Sequence, residues 1–452
     1  MDGPKAAPGG MKTFFVIWLG ELISLIGSGL TSFALAVWIF ERTGQATPFA
    51  LTVLFSNLPR ILLSPVAGSL ADRWNRRWVM IFADAGSALV TLAALLVFFT
   101  GRLEIWHIYL ISTCNAVFGA FQEPAYTAST TMLVPKKDLA RASGMVQMGQ
   151  ALEMLLSPIL AGALFVAIGL RGIILIDFLT FFFAIGALLV VHIPQPKAAP
   201  SEDGRSGTVL SDALYGWRYL SSRPGLFGLL WYYALVNFLL NFASVLTGPL
   251  VLTFGNAGTL GLIHSILGGG MLAGSIVMSA WGGPKENRIL AVIGFIALGA
   301  AGLALTGLQS SAIIVAAGMF ILVFCVPLAS GPSQAIFQMK IAPEVQGRVF
   351  AIRNLISRSM TPLAFLSAGP LADYVFEPLM QPGALLAQSF AGSLLGVGPG
   401  RGIGLIFTLS GLSLLIASAL AYANPRIRRV ETELPDMLPE SSPPEAAAEY
   451  AH

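Results

Sequence analysis

Charge is scarce in this sequence: Asp, Glu, Lys and Arg make up 11% of its 452 residues, against roughly 25% in ordinary soluble domains. Hydrophobic residues make up 55%, and mean hydropathy is +0.76. No soluble core hides that much apolar surface, so a water-soluble globule is excluded and the chain belongs in a membrane. Cysteine is nearly absent. Cys114 and Cys325 both lie inside apolar runs, which argues against a disulfide framework and leaves them as small buried hydrophobes. The 4 histidines form no cluster with Cys and acids at helical spacing, so metal ligation has no support and no cofactor is expected. No G-x-x-x-x-G-K-S/T run occurs, so the chain reads as no ATP-hydrolysing enzyme, and energy must come from a gradient. No nucleic-acid partner is expected. Met1 to Gly10 is polar and small, and the apolar run after it is too long for a secretory signal, so none is expected.

What the chain does have is long apolar runs. Twelve occur, near 13–40, 48–71, 78–100, 106–131, 143–169, 172–193, 226–252, 259–281, 289–308, 311–336, 349–371 and 402–424, each long enough for the roughly 20 residues that cross hydrocarbon. The longest polar linker follows the sixth run. The sequence therefore predicts an all-α membrane protein of twelve transmembrane helices in two six-helix bundles. The N-terminal bundle takes 1–193, a linker 194–225, the C-terminal bundle 226–424, and a tail of little order 425–452. Within the linker, Leu210 to Leu220 sets apolar residues at helical spacing, which predicts an amphipathic helix at the membrane face. The stretch from Ala372 to Gly400 reads equally as a partly embedded hairpin or a plain lid.

Basic residues set the orientation. With the N-terminus inside, nineteen Lys and Arg fall on the inner side and four, Arg42, Arg102, Arg171 and Arg401, on the outer. Both termini are then expected in the cytoplasm, with the chain in the inner (plasma) membrane. The halves also echo one another: Pro124 and Pro332 stand 208 apart, as do Pro135 and Pro343, while Arg141 and Arg348, like Gly162 and Gly369, stand 207 apart. Nearly one spacing at four anchors predicts a duplicated six-helix unit.

Polar residues inside the runs are the candidates for function. Glu21, Ser24, Ser28 and Thr31 recur at three or four residues in the first run, and Tyr233, Asn237, Asn241 and Ser244 do so in the seventh. Ser24, Ser28 and Thr31 lie 213 before Asn237, Asn241 and Ser244, so the two polar faces are pseudo-symmetric mates that would line one cavity. The plainer alternative is that such stripes glue helices together. Glu21, Asp84, Glu123 and Glu153 are carboxylates within spans, where a charge is expensive and a proton the simplest relief. Glu21 or Glu153 is the expected coupling acid. Alternatively these acids pair with Arg60 or Arg358 and only fix helix packing. His264 either titrates or binds substrate, or simply packs among apolar neighbours.

The hinge between the second and third runs, Gly68-Ser69-Leu70-Ala71-Asp72-Arg73-Trp74-Asn75-Arg76-Arg77, resembles the G-x-L-a-D-R-x-x-R-R signature of the major facilitator superfamily. Gly149 to Gly162, with Gly144 upstream, resembles in degraded form the antiporter signature of that family's drug exporters. Glu153 takes the place of a Gly, Ser157-Pro158 that of Gly-Pro, and Ala161-Gly162 that of Gly-Gly. The Arg that many of its proton antiporters keep on the fourth helix is absent, since Asn115 precedes Gly119. With Trp18 to Thr31, the Phe-x-x-Pro-Ala element ending at Ala125 and Ile176-Asp177-Phe178, the chain is similar to the branch holding macrolide efflux proteins and the enterobactin exporter.

That resemblance implies a carrier with rocking halves, exporting amphipathic small molecules such as macrolides or siderophores; the carboxylates within the spans add protons as the expected coupling partner, and a monomer is expected. In such a carrier Asp72, Arg73, Arg76 and Arg77 would form a gate. Asp72 would meet the N-terminus of the eleventh helix near Arg348, a position favoured by the helix dipole. Rival expectations are a lysophospholipid flippase of the same fold, an uptake symporter and a non-transporting membrane scaffold or sensor.

Overall fold

The computed structural model describes residues 10–134, 138–191, 209–341 and 343–435. Among the described residues every regular element is helical. In hydrocarbon a helix satisfies all its backbone hydrogen bonds within itself, which suits runs as apolar as these. The N-terminal bundle is α1 (Gly10–Thr43), α2 (Ala46–Arg73), α3 (Arg76–Phe99), α4 (Ile105–Leu133) and α5 (Leu139–Val190). After α6 (Val209–Ser221) come α7 (Pro224–Leu252), α8 (Ala257–Trp281), α9 (Arg288–Leu308), α10 (Ala312–Lys340) and α11 (Pro343–Leu371). Then follow a single π-helical turn (Ala372–Phe376), α12 (Glu377–Leu379), α13 (Phe390–Leu395) and α14 (Arg401–Ala423).

The 52 residues of α5 would make a rod of about 78 Å, far longer than a bilayer of about 30 Å. The rod breaks at Gly169, whose φ of 65° and ψ of −175° suit glycine because it has no Cβ to clash. The two arms, 139–168 and 170–190, are separate crossings. Counting both, the chain crosses twelve times. Among the described residues nine helices are long and apolar enough to span by composition. The helices α4 and α11 have the length, at 29 residues each, but carry more polar side chains.

Within the first half α1 packs on α5, α2 on α4, and α3 on α4 and α5; within the second, α9 packs on α10 and α14, α8 on α10, and α7 on α11 and α14. The two bundles meet through α5 with α8, α2 with α11, and α7 with both α1 and α2. That meeting is lopsided. Ala36, Phe40, Phe49 and Leu54 share one buried cluster with Phe242, Leu250, Leu260 and Ala368. All of these lie toward the end where α1 turns into α2, here called the lid face. At the opposite hinge face the buried clusters stay within one bundle each. Phe14, Val79, Leu133 and Leu188 form the first, and Leu226, Ile289, Phe337 and Val349 the second.

The stretch 372–400 is packed rather than loose. Met380 is buried with Leu395 and Leu405 against Leu308 and Phe376. The carboxylate of Glu377 accepts from the backbone N–H of Gly400 at 3.2 Å and of Ile403 at 2.9 Å, holding the start of α14.

The tail also differs from expectation. Pro425–Arg428 and Val430–Glu433 are short helices with Ile427 and Val430 buried. Glu431 accepts from the Ile289 N–H at 2.9 Å and lies 3.7 Å from Arg288, and Lys340 donates to the carbonyl of Leu434 at 2.6 Å. A polar composition misled here, because two apolar side chains and one acid suffice to dock a short segment on the start of α9. Residues 436–452 of the expected tail, and 192–208 of the expected linker, lie outside the described residues.

Candidate functional site

A cavity of about 470 Å³ opens inside the N-terminal bundle, and all its lining residues come from α1 to α5. Helical periodicity puts Glu21, Ser24, Ser28 and Thr31 of α1 on one wall. Asp84 comes from α3, Arg60 from α2, Asn115, Gln122 and Glu123 from α4, and Asp177 from the second arm of α5. At the centre the amide of Gln122 donates to both Glu21, at 2.6 Å, and Asp84, at 2.8 Å. One amide nitrogen has two hydrogens, so a single side chain bridges two carboxyls. Two like charges that close repel one another, and a proton shared between them removes the repulsion.

Arg60 crosses from α2 to α4. A Cβ built on Gly119 would stand 2.9 Å from the Arg60 guanidinium nitrogen Nη2, so the bare glycine makes room for the cation. A guanidinium from the second helix thus stands beside Gly119 of the fourth. Glu153 is outside the cavity lining, at the crossing of α1 and α5. Its carboxylate faces Gly29 and lies within electrostatic reach of Arg60. Among the described residues neither acid forms an ion pair with Arg60 within 4 Å.

The polar face of α7 lies elsewhere. Tyr233 donates to the Ala329 carbonyl at 3.1 Å, Asn237 to the Tyr233 carbonyl and Asn241 to the Asn237 carbonyl. None of the three lines the cavity in this conformation. His264, on α8, packs its ring edge-on against Phe33 of α1 with centroids 6.0 Å apart, and its Nδ1 lies 3.1 Å from the Leu260 carbonyl. It sits between the bundles rather than in the cavity.

The hinge is built locally. Asn75 caps α3, its Oδ1 accepting from the N–H groups of Arg77 and Trp78, an arrangement worth about 1 kcal/mol. Arg77 donates to the carbonyls of Leu188 and Leu189 at 2.8 and 2.7 Å, and Arg76 to that of Ala128 at 3.3 Å. Both arginines brace the ends of helices in their own bundle. The side chains of Gly68, Asp72, Arg73, Arg348 and Arg358 lie outside the described residues.

At the lid face the bundles are pinned together. Asp373, just past α11, accepts from the N–H groups of Ala46 and Thr47 at 2.9 and 2.6 Å, and so caps the N-terminus of α2 from the other half. Nearby, α5 and α8 cross so closely that a Cβ on Gly162 would lie 2.7 Å from the Ala257 carbonyl oxygen. Ser265 donates to the Leu155 carbonyl at 2.9 Å at the same crossing. The degraded Ser157-Pro158 to Gly162 element is therefore one of the places where the halves touch.

Reading the sequence left out Gln122 and Asp177 as site residues. Gln122 carries no charge to mark it, whereas Asp177, an acid inside an apolar run, was a signal of its own.

Two like bundles crossing a membrane twelve times, with a polar cavity inside, define a transporter rather than an enzyme. The Major Facilitator Superfamily model matches residues 17–365, and the chain belongs to that family. It is 29% identical over 377 residues to macrolide efflux protein A of Streptococcus pyogenes, covering 80% of this chain and 90% of that one. It is 30% identical over 335 residues to macrolide efflux protein A of Enterococcus faecalis, covering 71% and 99%. A bacterial homologue of the human lysosomal transporter Spinster, solved in an inward-facing and unoccupied conformation, has the same fold, with a TM-score of 0.67, 15% identity and 95% and 98% of the two chains covered.

Proposed function

We propose that the protein is a secondary active exporter of amphipathic small molecules, macrolide-like compounds first among them, working by alternating access and driven by protons. The observation that carries this reading is the cavity in the N-terminal bundle, where Gln122 links Glu21 and Asp84 and Arg60 stands on the wall. A proton moving on and off the Glu21–Gln122–Asp84 group changes the charge beside the substrate, and so links its release to the gradient. The names of the efflux proteins similar to this chain support the substrate class. The distribution of basic residues supports a cytoplasmic hinge face. On that orientation the lid face is the outer gate, closed here, and the cavity is reached from inside.

The test is flux. Purified protein in liposomes, loaded with a macrolide, a dye or a siderophore and given a proton gradient, should move at least one of them, and the movement should collapse when the gradient is dissipated. Expression in an exporter-deficient host should raise its tolerance to the same compound. Flux unaffected by the gradient removes the coupling, and absence of flux for the whole panel removes the export reading. Fluorescent lysophospholipid in the same liposomes tests the flippase alternative.

A further inference from the structure

A second polar group lies further along α1 from the Glu21 cluster and has a different chemistry. Asp177 is 1% exposed and accepts one hydrogen bond, from Ser28 Oγ at 3.2 Å. The hydroxyls of Thr31 and Thr91 face the same carboxyl. Both lie against the carboxyl in contacts too long or too poorly aligned for a full hydrogen bond, although both Oγ1 atoms are buried and the residues are only 4% and 1% exposed. Few hydroxyls of the described residues are left this way, Thr47 and Ser333 among them. A buried helical hydroxyl ordinarily donates to the carbonyl one turn back, as Thr52, Ser56, Thr113 and Thr247 all do. Leaving such a group without a good partner is costly.

The charge is unbalanced as well. Among the described residues no basic group pairs with Asp177, and a bare carboxylate at this depth is expensive. A single negative charge with three hydroxyl oxygens around it is a set of hard oxygen donors. It balances one positive charge, whereas a divalent ion takes more carboxylates. Ser28, Thr31 and Asp177 line the cavity, so an ion has a path in. We propose that Asp177, Ser28, Thr31 and Thr91 form a sodium-ion site in the wall of the N-terminal cavity.

The test is binding, read on the purified full-length protein in detergent and independent of which compound is transported. Its melting temperature is followed as NaCl replaces choline chloride at constant ionic strength, with KCl in parallel. The expected result is a saturable rise of a few degrees with sodium, absent with potassium and choline, as follows when an ion binds only the folded state. Asp177→Asn should abolish the rise. Thr91→Val, which swaps a hydroxyl that lacks a full hydrogen bond for a methyl of the same shape and should fold normally, should move its midpoint at least tenfold to higher sodium. An equal response to all three cations overturns the proposal, as does a sodium response that keeps its midpoint in Thr91→Val. Failure of export in the flux assay leaves this measurement untouched, and the reverse holds too.

Discussion

Asp373→Ala is the sharpest perturbation of the closed lid face. The carboxylate accepts from two backbone N–H groups at the start of α2, at 2.9 and 2.6 Å, across the boundary between the bundles. A hydrogen bond to a charged group is worth about 1.5–3 kcal/mol and a helix N-cap about 0.5–2 kcal/mol. Asp373 is only partly buried, and in the open conformer water satisfies the same N–H groups, so the lower part of these ranges applies. A loss of about 1–2 kcal/mol confined to one conformer changes its population ratio by a factor of about 5–30. The assay is the distance between spin labels at Arg102 and Leu385, exposed positions on the two bundles at this face, with Cys114 and Cys325 replaced by Ala. Asp373→Ala should populate a longer distance that is minor in the parent. Asp373→Asn, which keeps one acceptor oxygen, should fall between. Superimposable distributions for all three proteins would refute the assignment of the contact as a gate.

Three further outcomes are expected. Gln122→Leu removes the donor shared by Glu21 and Asp84, a loss of about 1.5–3 kcal/mol per charged hydrogen bond, and should cut proton-driven flux in liposomes at least tenfold; unchanged flux removes the cluster from the coupling path. Asp72→Asn should slow transport while equilibrium binding of the same substrate persists, and undiminished turnover would leave the hinge as a topology signal alone. Glu431→Ala takes away the cap on Ile289 and the partner of Arg288, and should lower stability by about 1 kcal/mol, read as a lower melting temperature with flux unaffected.

The parts of this molecule that were legible in the sequence are those written as a period. Apolar runs of membrane length gave the crossings, and the spacing of Glu21, Ser24, Ser28 and Thr31 placed them on one wall because a helix brings every third or fourth residue together. Contacts between distant elements were not legible. Nothing local tells Arg60 to lie over Gly119, or Gln122 to reach Glu21 and Asp84 at once. The pseudo-symmetry of α1 and α7 was real as a pattern, yet in this conformation the amides of α7 spend themselves on carbonyls one turn back and the cavity belongs to one bundle. Asp373 escaped notice because an acid at the start of a polar loop looks solvated until the partner helix is in place.

The two faces are linked by geometry. Helices α2 and α11, of 28 and 29 residues, are rods about 42 and 44 Å long, and they run beside each other at the boundary between the bundles. A rigid rod that tilts toward its neighbour at one end tilts away at the other. At the lid face the positive N-terminus of α2 meets Asp373, which follows α11. In the proposed cycle the relation is reversed at the hinge face, where the positive N-terminus of α11 meets Asp72 near the end of α2. In that cycle each catch would be an acid on a helix N-terminus, and each would draw on the same pair of helices, so engaging one would oppose the other. The two catches would then offer contacts of the same chemical kind to the inward-open and outward-open forms. A proton or a bound substrate supplying a few kcal/mol of differential affinity would then suffice to tip the balance.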